Sequence, residues 1–171
     1  IFDKLKKIDN NLLIQAIKHN ICVYSAHTNL DKTYGSTTDA LAGVLGLKNL
    51  ITVDEYVKIA HLKDEIGLDE FLRQVKSSLN CERLKLINPT GIESVKNVAI
   101  TAGAGGSYIK KVAGYDVDLF ITGDVKFHSA LEVTTFAVAD VGHFESEIPV
   151  LPLLQGLIAK SGVEVLIATE H

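Results

Sequence analysis

Apolar and polar positions along the chain follow two different periods. Residues Leu68–Leu79 repeat apolar side chains at the spacing of a helix, with acids in the first turn and bases later, which favours an amphipathic helix. Residues 56–62 alternate between apolar and polar, which predicts a half-exposed strand. Short apolar runs predict further strands, most of them buried. These runs lie at residues 21–26, 83–87, 95–101, 117–121, 135–141 and 163–167.

Helices are predicted between these strands. Helical spacing and helix-start residues place them over 12–18, 40–46, 108–114, from 125 onward and over about 147–161. Ser36 or Thr37 can cap the second of these helices. Because strand and helix alternate throughout, the sequence predicts an α/β fold with a largely parallel or mixed sheet.

No linker or low-complexity segment divides the chain, so residues 1–171 are expected to form a single domain. Two parts of it, residues 1–62 and 95–171, each contain a predicted strand followed by a polar loop. This repetition suggests a fold of two similar α/β lobes with mixed sheets.

Composition narrows the class of protein. Hydrophobic residues make up 47% of the chain and charged residues 22%, which is typical of an ordinary globular protein. The net charge of −4 and the lack of a basic run argue against nucleic-acid binding. No apolar stretch approaches the roughly 20 residues that cross a membrane. Two isolated cysteines, Cys22 and Cys81, fit a reducing compartment, so a cytoplasmic location is expected.

Histidine and carboxylate residues recur where predicted strands end. Each of three strand ends carries a histidine and an acid four residues apart: His27 with Asp31, Asp124 with His128, and His143 with Glu147. Residues four apart share one face of a helix, so the last pair can reach one metal ion at about 2.0–2.2 Å from each atom. A simpler alternative stays open for that pair: a histidine at a helix start and a capping or solvated carboxylate.

The glycine-rich segment at residues 102–107, A-G-A-G-G-S, follows a predicted strand. Backbone N–H groups at such a turn can bind a phosphate. The segment matches neither G-x-x-x-x-G-K-[ST] nor a clean G-x-G-x-x-G. A tight turn that lets strand and helix pack closely is therefore the favoured interpretation.

Several motifs together resemble a known family. They are S-A-H-T-N-L-D at residues 25–31, I-T-G-D at 121–124 with His128, the glycine-rich turn, and G-H-F-E-S-E at 142–147. The NIF-three-like proteins, often labelled GTP cyclohydrolase 1 type 2 homologues, carry these motifs in the same order. The resemblance extends over essentially the whole chain and is to the short form of the family.

This resemblance implies a fold, an assembly and a site. The family fold is a two-lobed α/β subunit that assembles into a toroidal homohexamer, with a pair of metal ions in a cleft facing the internal cavity. Its metal ligands match Asp31, His143 and Glu147. His27 and His128 match positions that line the same cleft, where they would move protons or orient substrate.

The family also carries a paired-histidine motif, H-H-P, that supplies two further ligands. In relatives this motif lies just before a segment similar to residues 1–6. We therefore expect this chain to lack the N-terminal segment of its relatives, and the two histidines to lie upstream of Ile1.

Two classes of function follow. The first is a metal-dependent hydrolase of the GTP cyclohydrolase 1 type 2 kind, in which a metal-activated water attacks a nucleotide-like substrate. The second is a non-catalytic metal-binding scaffold, metal carrier or regulatory interaction protein. In both, imidazole and carboxylate ligands favour two divalent ions of the zinc, iron or manganese type over calcium. No residue of the sequence itself identifies GTP as the substrate; that expectation comes only from the family label.

Overall fold

A computed structural model describes residues 12–168, and in this part of the chain six strands form one mixed sheet. The order across the sheet is β1-β2-β4-β5-β6-β3. The strands are β1 Ile51–Thr52, β2 Lys58–Gly67, β3 Lys85–Ile87, β4 Ser94–Ala104, β5 Leu119–Gly123 and β6 Ala137–Asp140. The predicted α/β class is confirmed.

Helices connect and cover these strands. They are α1 Leu12–Lys18, α2 Thr28–Asp31, α3 Thr37–Val44, α4 Leu68–Leu79, a 3₁₀ turn Gly105–Tyr108, α5 Ile109–Val112, α6 Phe127–Ala130, α7 His143–Glu147 and α8 Val150–Ala159. Within the described residues, none of these helices has both the length and the apolar composition needed to cross a bilayer.

Strands β4, β5 and β6 run parallel to one another. The other pairings, β1 with β2, β2 with β4 and β3 with β6, are antiparallel. Because β4, β5 and β6 share one direction, their carboxyl ends meet at the same edge of the sheet, which is where α/β folds hold their ligands. The loops after these three strands therefore lie side by side.

Both faces of the sheet are buried at the central strands β5 and β6. In β5, Leu119 and Ile121 pack into one core with Phe71, while Phe120 between them packs into a second core with Phe136. Successive strand residues point to opposite faces, so an uninterrupted apolar run supplies both cores. Each of these large side chains contributes about 1.5–3 kcal/mol by burial, which fixes the strands that carry the polar loops.

The amphipathic pattern of Leu68–Leu79 is confirmed as helix α4, which buries one apolar face against the sheet. The helix ends at Asn80, whose φ of 49° is left-handed. Asparagine tolerates this conformation and so allows the chain to turn at the helix end.

Two predicted strands are wrong. Residues 21–26 and 163–167 have no regular structure, and Val23 and Leu166 are 76% and 83% exposed. The apolar runs do not find partner strands among residues 12–168. The division into two lobes stays a prediction. Its first lobe includes residues 21–26 and also residues 1–11, and only the latter lie outside the described part of the chain.

The predicted helix at about 147–161 begins later, as α8 at Val150, and a separate short helix, α7, precedes it at residues 143–147. Pro149 lies between them and precedes the first residue of α8. Proline lacks the N–H that would continue the hydrogen bonding of α7, yet its fixed φ suits a helix start. The break places His143 at the start of α7 and Glu147 at its end.

A half-buried carboxylate holds helix α3 in place. Ser36 and Asp39 form a capping box: the Ser36 hydroxyl accepts the Asp39 N–H at 3.2 Å, and Asp39 accepts the N–H groups of Ser36 and Gly35 at 3.0 Å. Lys58 of β2 forms an ion pair with the same carboxylate. Burial raises the pKa of Asp39, but the hydrogen bonds from Lys58 and the Ser36 backbone outweigh burial and hold that pKa below its usual value.

Replacing Asp39 by alanine should lower the free energy of unfolding by about 2 kcal/mol at pH 7, since it removes a helix cap and strands a partly buried lysine. Solvent screening of the pair keeps the loss below that of a fully buried one. Because the pKa is depressed in the folded state, this stabilisation is present above the ordinary pKa of about 3.9 and is lost as pH falls through the folded-state pKa.

Urea denaturation of both proteins from pH 7 to pH 3 checks this expectation. The difference between wild type and Asp39→Ala should shrink at the acidic end. Asp64→Ala, at an exposed acidic residue of β2, is the control and should stay within about 0.5 kcal/mol of wild type. A constant difference across the pH range would contradict the proposed charge pairing.

Candidate functional site

The carboxyl ends of β4, β5 and β6 bring together three polar loops. Gly103 lies at the end of β4, Asp124 directly follows β5, and His143 begins helix α7 after β6. Glu147 ends the same helix one turn later. These residues converge because the three strands are parallel and adjacent.

His143 lies between two carboxylates. Its Nδ1 is 2.8 Å from Oδ2 of Asp124, and its Nε2 is 3.1 Å from Oε1 of Glu147. The hydrogen bond with Asp124 raises the pKa of His143 above its ordinary value, burial opposes this more weakly, and the charge of Glu147 adds to the increase. The imidazole is thus held in one orientation between the carboxylates of Asp124 and Glu147.

Helix α7 is anchored by a buried hydroxyl. Ser146 donates a hydrogen bond to the His143 carbonyl at 2.7 Å and accepts the Gly103 N–H at 2.9 Å. A side chain at Gly103 would collide with the Glu147 carboxylate, and the φ of Gly103 is +69°. The glycine thus provides both the space that Glu147 occupies and the backbone conformation that brings β4 close to α7.

The glycine-rich turn uses its N–H groups internally. Thr122, which is fully buried, accepts the Gly105 N–H at 2.9 Å and donates to the Gly103 carbonyl at 3.0 Å. Because Ser146 takes the Gly103 N–H, two donors that a phosphate would need are already satisfied. The geometry therefore agrees with the tight turn rather than with a phosphate-binding loop.

A cleft of about 690 Å³ opens beside Glu147. His27 and Asp31, which lie more than 100 residues earlier in the chain, also line this cleft. The Thr37 hydroxyl donates to the Asp31 carboxylate at 2.5 Å and fixes that side chain. The apolar wall of the cleft comes from helix α8, through Val150, Leu151, Leu154 and Ile158.

The structure brings some predicted site residues together and separates others. His143 and Glu147 are in direct contact, and Glu147 shares the cleft with His27 and Asp31. His128 is not among the residues that line the cleft; its ring lies edge-on to Phe127 at 5.7 Å between centroids. Across residues 12–168, no three histidine, cysteine or acidic side chains are close enough to hold one metal ion.

A divalent metal fits part of this arrangement. An imidazole nitrogen and a carboxylate oxygen that converge from one helix turn are the donors that zinc, iron or manganese prefer. The second imidazole nitrogen bonds to a carboxylate, as is usual for metal-binding histidines. His143 and Glu147 therefore could supply two ligands, and Asp31, which lines the same cleft as Glu147, is a third candidate.

Asp124 is the residue that sequence spacing assigned to the wrong partner. The four-residue interval paired it with His128, but Asp124 precedes helix α6 and has a φ of +51°. Its carboxylate contacts His143, 19 residues away in sequence. The adjacency of the loops after β5 and β6 is the signal that identifies this pair.

Comparisons with known proteins agree with this fold. A family model described as Duf34/NIF3 (NGG1p interacting factor 3) matches residues 1–171. A protein of Clostridium perfringens called GTP cyclohydrolase 1 type 2 homolog is 30% identical over 92% of this chain and 65% of its own length. A protein of the same name from Clostridium acetobutylicum is 31% identical over 95% of this chain and 68% of its own length.

A solved structure, a Bacillus cereus protein related to NIF3, superimposes with a TM-score of 0.82 at 18% identity, over 98% of this chain and 76% of that one. At this identity the likeness shows the fold alone. The chain spans about two thirds of the length of the clostridial relatives.

Proposed function

The chain belongs to the Duf34/NIF3 family, and from this membership and the convergence of His143 with Glu147 we propose that it is a di-metal-binding protein that acts as a metal-dependent hydrolase on a nucleotide-like substrate. The observation that carries the proposal is the 3.1 Å approach of His143 Nε2 to Glu147 Oε1 at the carboxyl edge of a parallel sheet. Relatives called GTP cyclohydrolase 1 type 2 homolog support a guanine nucleotide as the substrate to test.

His143, Glu147 and Asp31 would hold the metal. The metal is proposed to be two divalent ions of the zinc, iron or manganese type. When bound, such ions activate water as a nucleophile near neutral pH and polarise the bond under attack. Thr37 holds the Asp31 carboxylate by its 2.5 Å hydrogen bond, so that this ligand is oriented before metal binds. Two further histidines from the family's H-H-P motif would complete the ligand set.

The remaining cleft residues would handle substrate and protons. His27 occupies the N-cap position of α2 without a side-chain cap bond and lines the cleft together with Asp31, which supports the proposal that its imidazole would transfer a proton to or from a bound substrate. His128, which lies in helix α6 and is not among the residues that line the cleft, is proposed to orient substrate because it matches a cleft position of the family. The apolar wall of α8 would exclude water from one side of the cleft, which strengthens electrostatic interactions inside it.

The proposal includes assembly and location. We place the protein in the cytoplasm, as a toroidal homohexamer that does not bind nucleic acid. The net charge of −4 supports the last of these statements. Light scattering of the purified protein measures the assembly directly, and a monomer at micromolar concentration would contradict it.

Metal content and turnover of the full-length protein test the proposed function. Wild type loaded with zinc, iron or manganese should retain about two ions per chain and consume GTP in a metal-dependent reaction. His143→Ala, Glu147→Ala and Asp31→Ala should each weaken metal binding at least tenfold, because each removes a direct ligand. His61→Ala and Glu70→Ala replace exposed residues of the same types and should bind metal like wild type.

Each outcome separates two functions. Metal binding without any metal-dependent turnover would favour a scaffold or metal carrier over a hydrolase. Full metal occupancy in His143→Ala and Glu147→Ala would contradict the metal site itself.

A further inference from the structure

The contact between Asp124 and His143 is not explained by its contribution to the free energy of folding. Both side chains are about half exposed, 59% for Asp124 and 45% for His143. Exposed ion pairs contribute about 0–1 kcal/mol. Asp124 also has a φ of +51°, and left-handed backbone in a residue other than glycine costs on the order of 1–3 kcal/mol. The conformation therefore costs at least as much free energy as the contact contributes.

The backbone on both sides of this pair is nonetheless fixed. The buried carboxylate of Asp140 accepts the Val125 N–H through Oδ2 and the Gly142 N–H through Oδ1, each at 3.1 Å. These two N–H groups belong to the residues that follow Asp124 and precede His143. One buried carboxylate thus sets the separation between the two loops, and the left-handed turn at Asp124 directs its side chain at His143 Nδ1.

The contact defines which imidazole nitrogen is available. Both carboxylates that face the ring only accept, but the Asp124 contact with Nδ1, at 2.8 Å, is shorter than the Glu147 contact with Nε2, at 3.1 Å, and therefore favours hydrogen on Nδ1 when the ring is neutral. A cation bound by Nε2 and Glu147 would take the place of any hydrogen on Nε2, whereas the hydrogen on Nδ1 would stay in its bond to Asp124. This is the form in which a histidine binds metal through Nε2.

We propose that Asp124 is a positioning residue that holds His143 in the Nδ1–H form with Nε2 directed at a divalent cation shared with Glu147. The inference rests on the proposed metal-binding function and adds to it a carboxylate that touches neither metal nor substrate. Carboxylate partners of metal-binding histidines change metal affinity by about 10- to 100-fold when they are removed.

Two substitutions distinguish the effect of the Asp124 carboxylate from the effect of the left-handed backbone conformation. Asp124→Gly removes the side chain and accepts a positive φ without strain, whereas Asp124→Asn keeps an oxygen acceptor and tolerates the same φ. Asn80→Gly, at another left-handed position with a φ of 49°, is the matched control. Zinc affinity should fall about 10- to 100-fold in Asp124→Gly and less in Asp124→Asn, while Asn80→Gly should bind zinc like wild type.

A second measurement does not depend on metal. Nitrogen-15 NMR of the metal-free protein, at a pH above the one at which the ring stops titrating in the same spectra, reports which nitrogen of His143 carries hydrogen. Wild type and Asp124→Asn should show the Nδ1–H form, and Asp124→Gly should shift toward Nε2–H. A merely structural role for Asp124 would leave this form unchanged.

The outcomes distinguish this inference from the proposed function. An unchanged ring form or wild-type zinc affinity in Asp124→Gly would overturn the positioning role. If wild type binds no zinc, the proposed function fails and the affinity part of the inference fails with it, whereas the NMR result still decides whether Asp124 sets the ring form of His143.

Discussion

Replacing Gly123 by alanine should lower the free energy of unfolding by about 3 kcal/mol and displace His143. Gly123 is the last residue of β5, where the strand passes against the loop after β6. A Cβ atom at this position would lie 2.7 Å from the carbonyl carbon and oxygen of Gly142 and 2.8 Å from the His143 nitrogen. These atoms are backbone, so no side chain can turn away to make room.

The reason for the large effect is that both sides of the contact are fixed. Gly123 is held by the parallel pairing of β5 with β4 and β6. The opposing loop is held by hydrogen bonds from Gly142 to Asp140 and from Val141 to the Thr122 carbonyl. An added methyl group must therefore separate the strand ends, and that movement carries His143 away from Asp124, the residue that directly follows Gly123.

Urea denaturation followed by circular dichroism measures the loss of stability, and NMR of His143 reports its displacement. Gly43→Ala is the control, because nothing lies within 4 Å of a Cβ at Gly43 in helix α3. Alanine is favoured over glycine within a helix by about 0.5–1 kcal/mol, so this variant should be as stable as wild type or slightly more so. An unfolding midpoint for Gly123→Ala equal to that of wild type would show that the strand ends are not in backbone contact.

The sequence predicts the buried strands of the sheet well. It wrongly predicts strands at two apolar segments that the structure leaves largely exposed. Residues 95–101 and 117–121 are apolar because both faces of β4 and β5 are buried, and such runs predict strands reliably when partners exist. Residues 21–26 and 163–167 have the same composition but no partner strand among residues 12–168. An apolar run indicates that a segment tends to be buried, but it does not indicate which strand, if any, pairs with that segment.

The site shows a similar limit. His143 and Glu147 could be predicted because their contact is local, within one helical turn. The same spacing rule pairs Asp124 with His128 and fails there, because Asp124 lies outside helix α6. Its contact with His143 depends on the order of strands β5 and β6, a long-range property that spacing along the chain does not reveal.

Asp140 is expected to be the other residue whose loss damages the site most. Asp140→Ala should lower the free energy of unfolding by about 3 kcal/mol, because it leaves the partly buried N–H groups of Val125 and Gly142 without their acceptor, at about 1–3 kcal/mol for each group. Asp140 is 3% exposed, so water cannot readily replace the carboxylate. The loops that carry Asp124 and His143 should then separate, and metal affinity should fall together with stability.

Lys85→Ala separates this hydrogen-bonding role from simple charge pairing. Lys85 lies 3.5 Å from the Asp140 carboxylate but is 79% exposed, so its removal should cost less than about 1 kcal/mol. Hydrogen exchange gives the local measurement: the amides of Val125 and Gly142 should be protected in wild type and in Lys85→Ala and should exchange rapidly in Asp140→Ala. Protection that survives in Asp140→Ala would mean that the two loops are held by other contacts. Loss of protection in both variants would instead assign the loop geometry to the ion pair, because only then does the charge of Lys85 control where the Asp140 carboxylate lies.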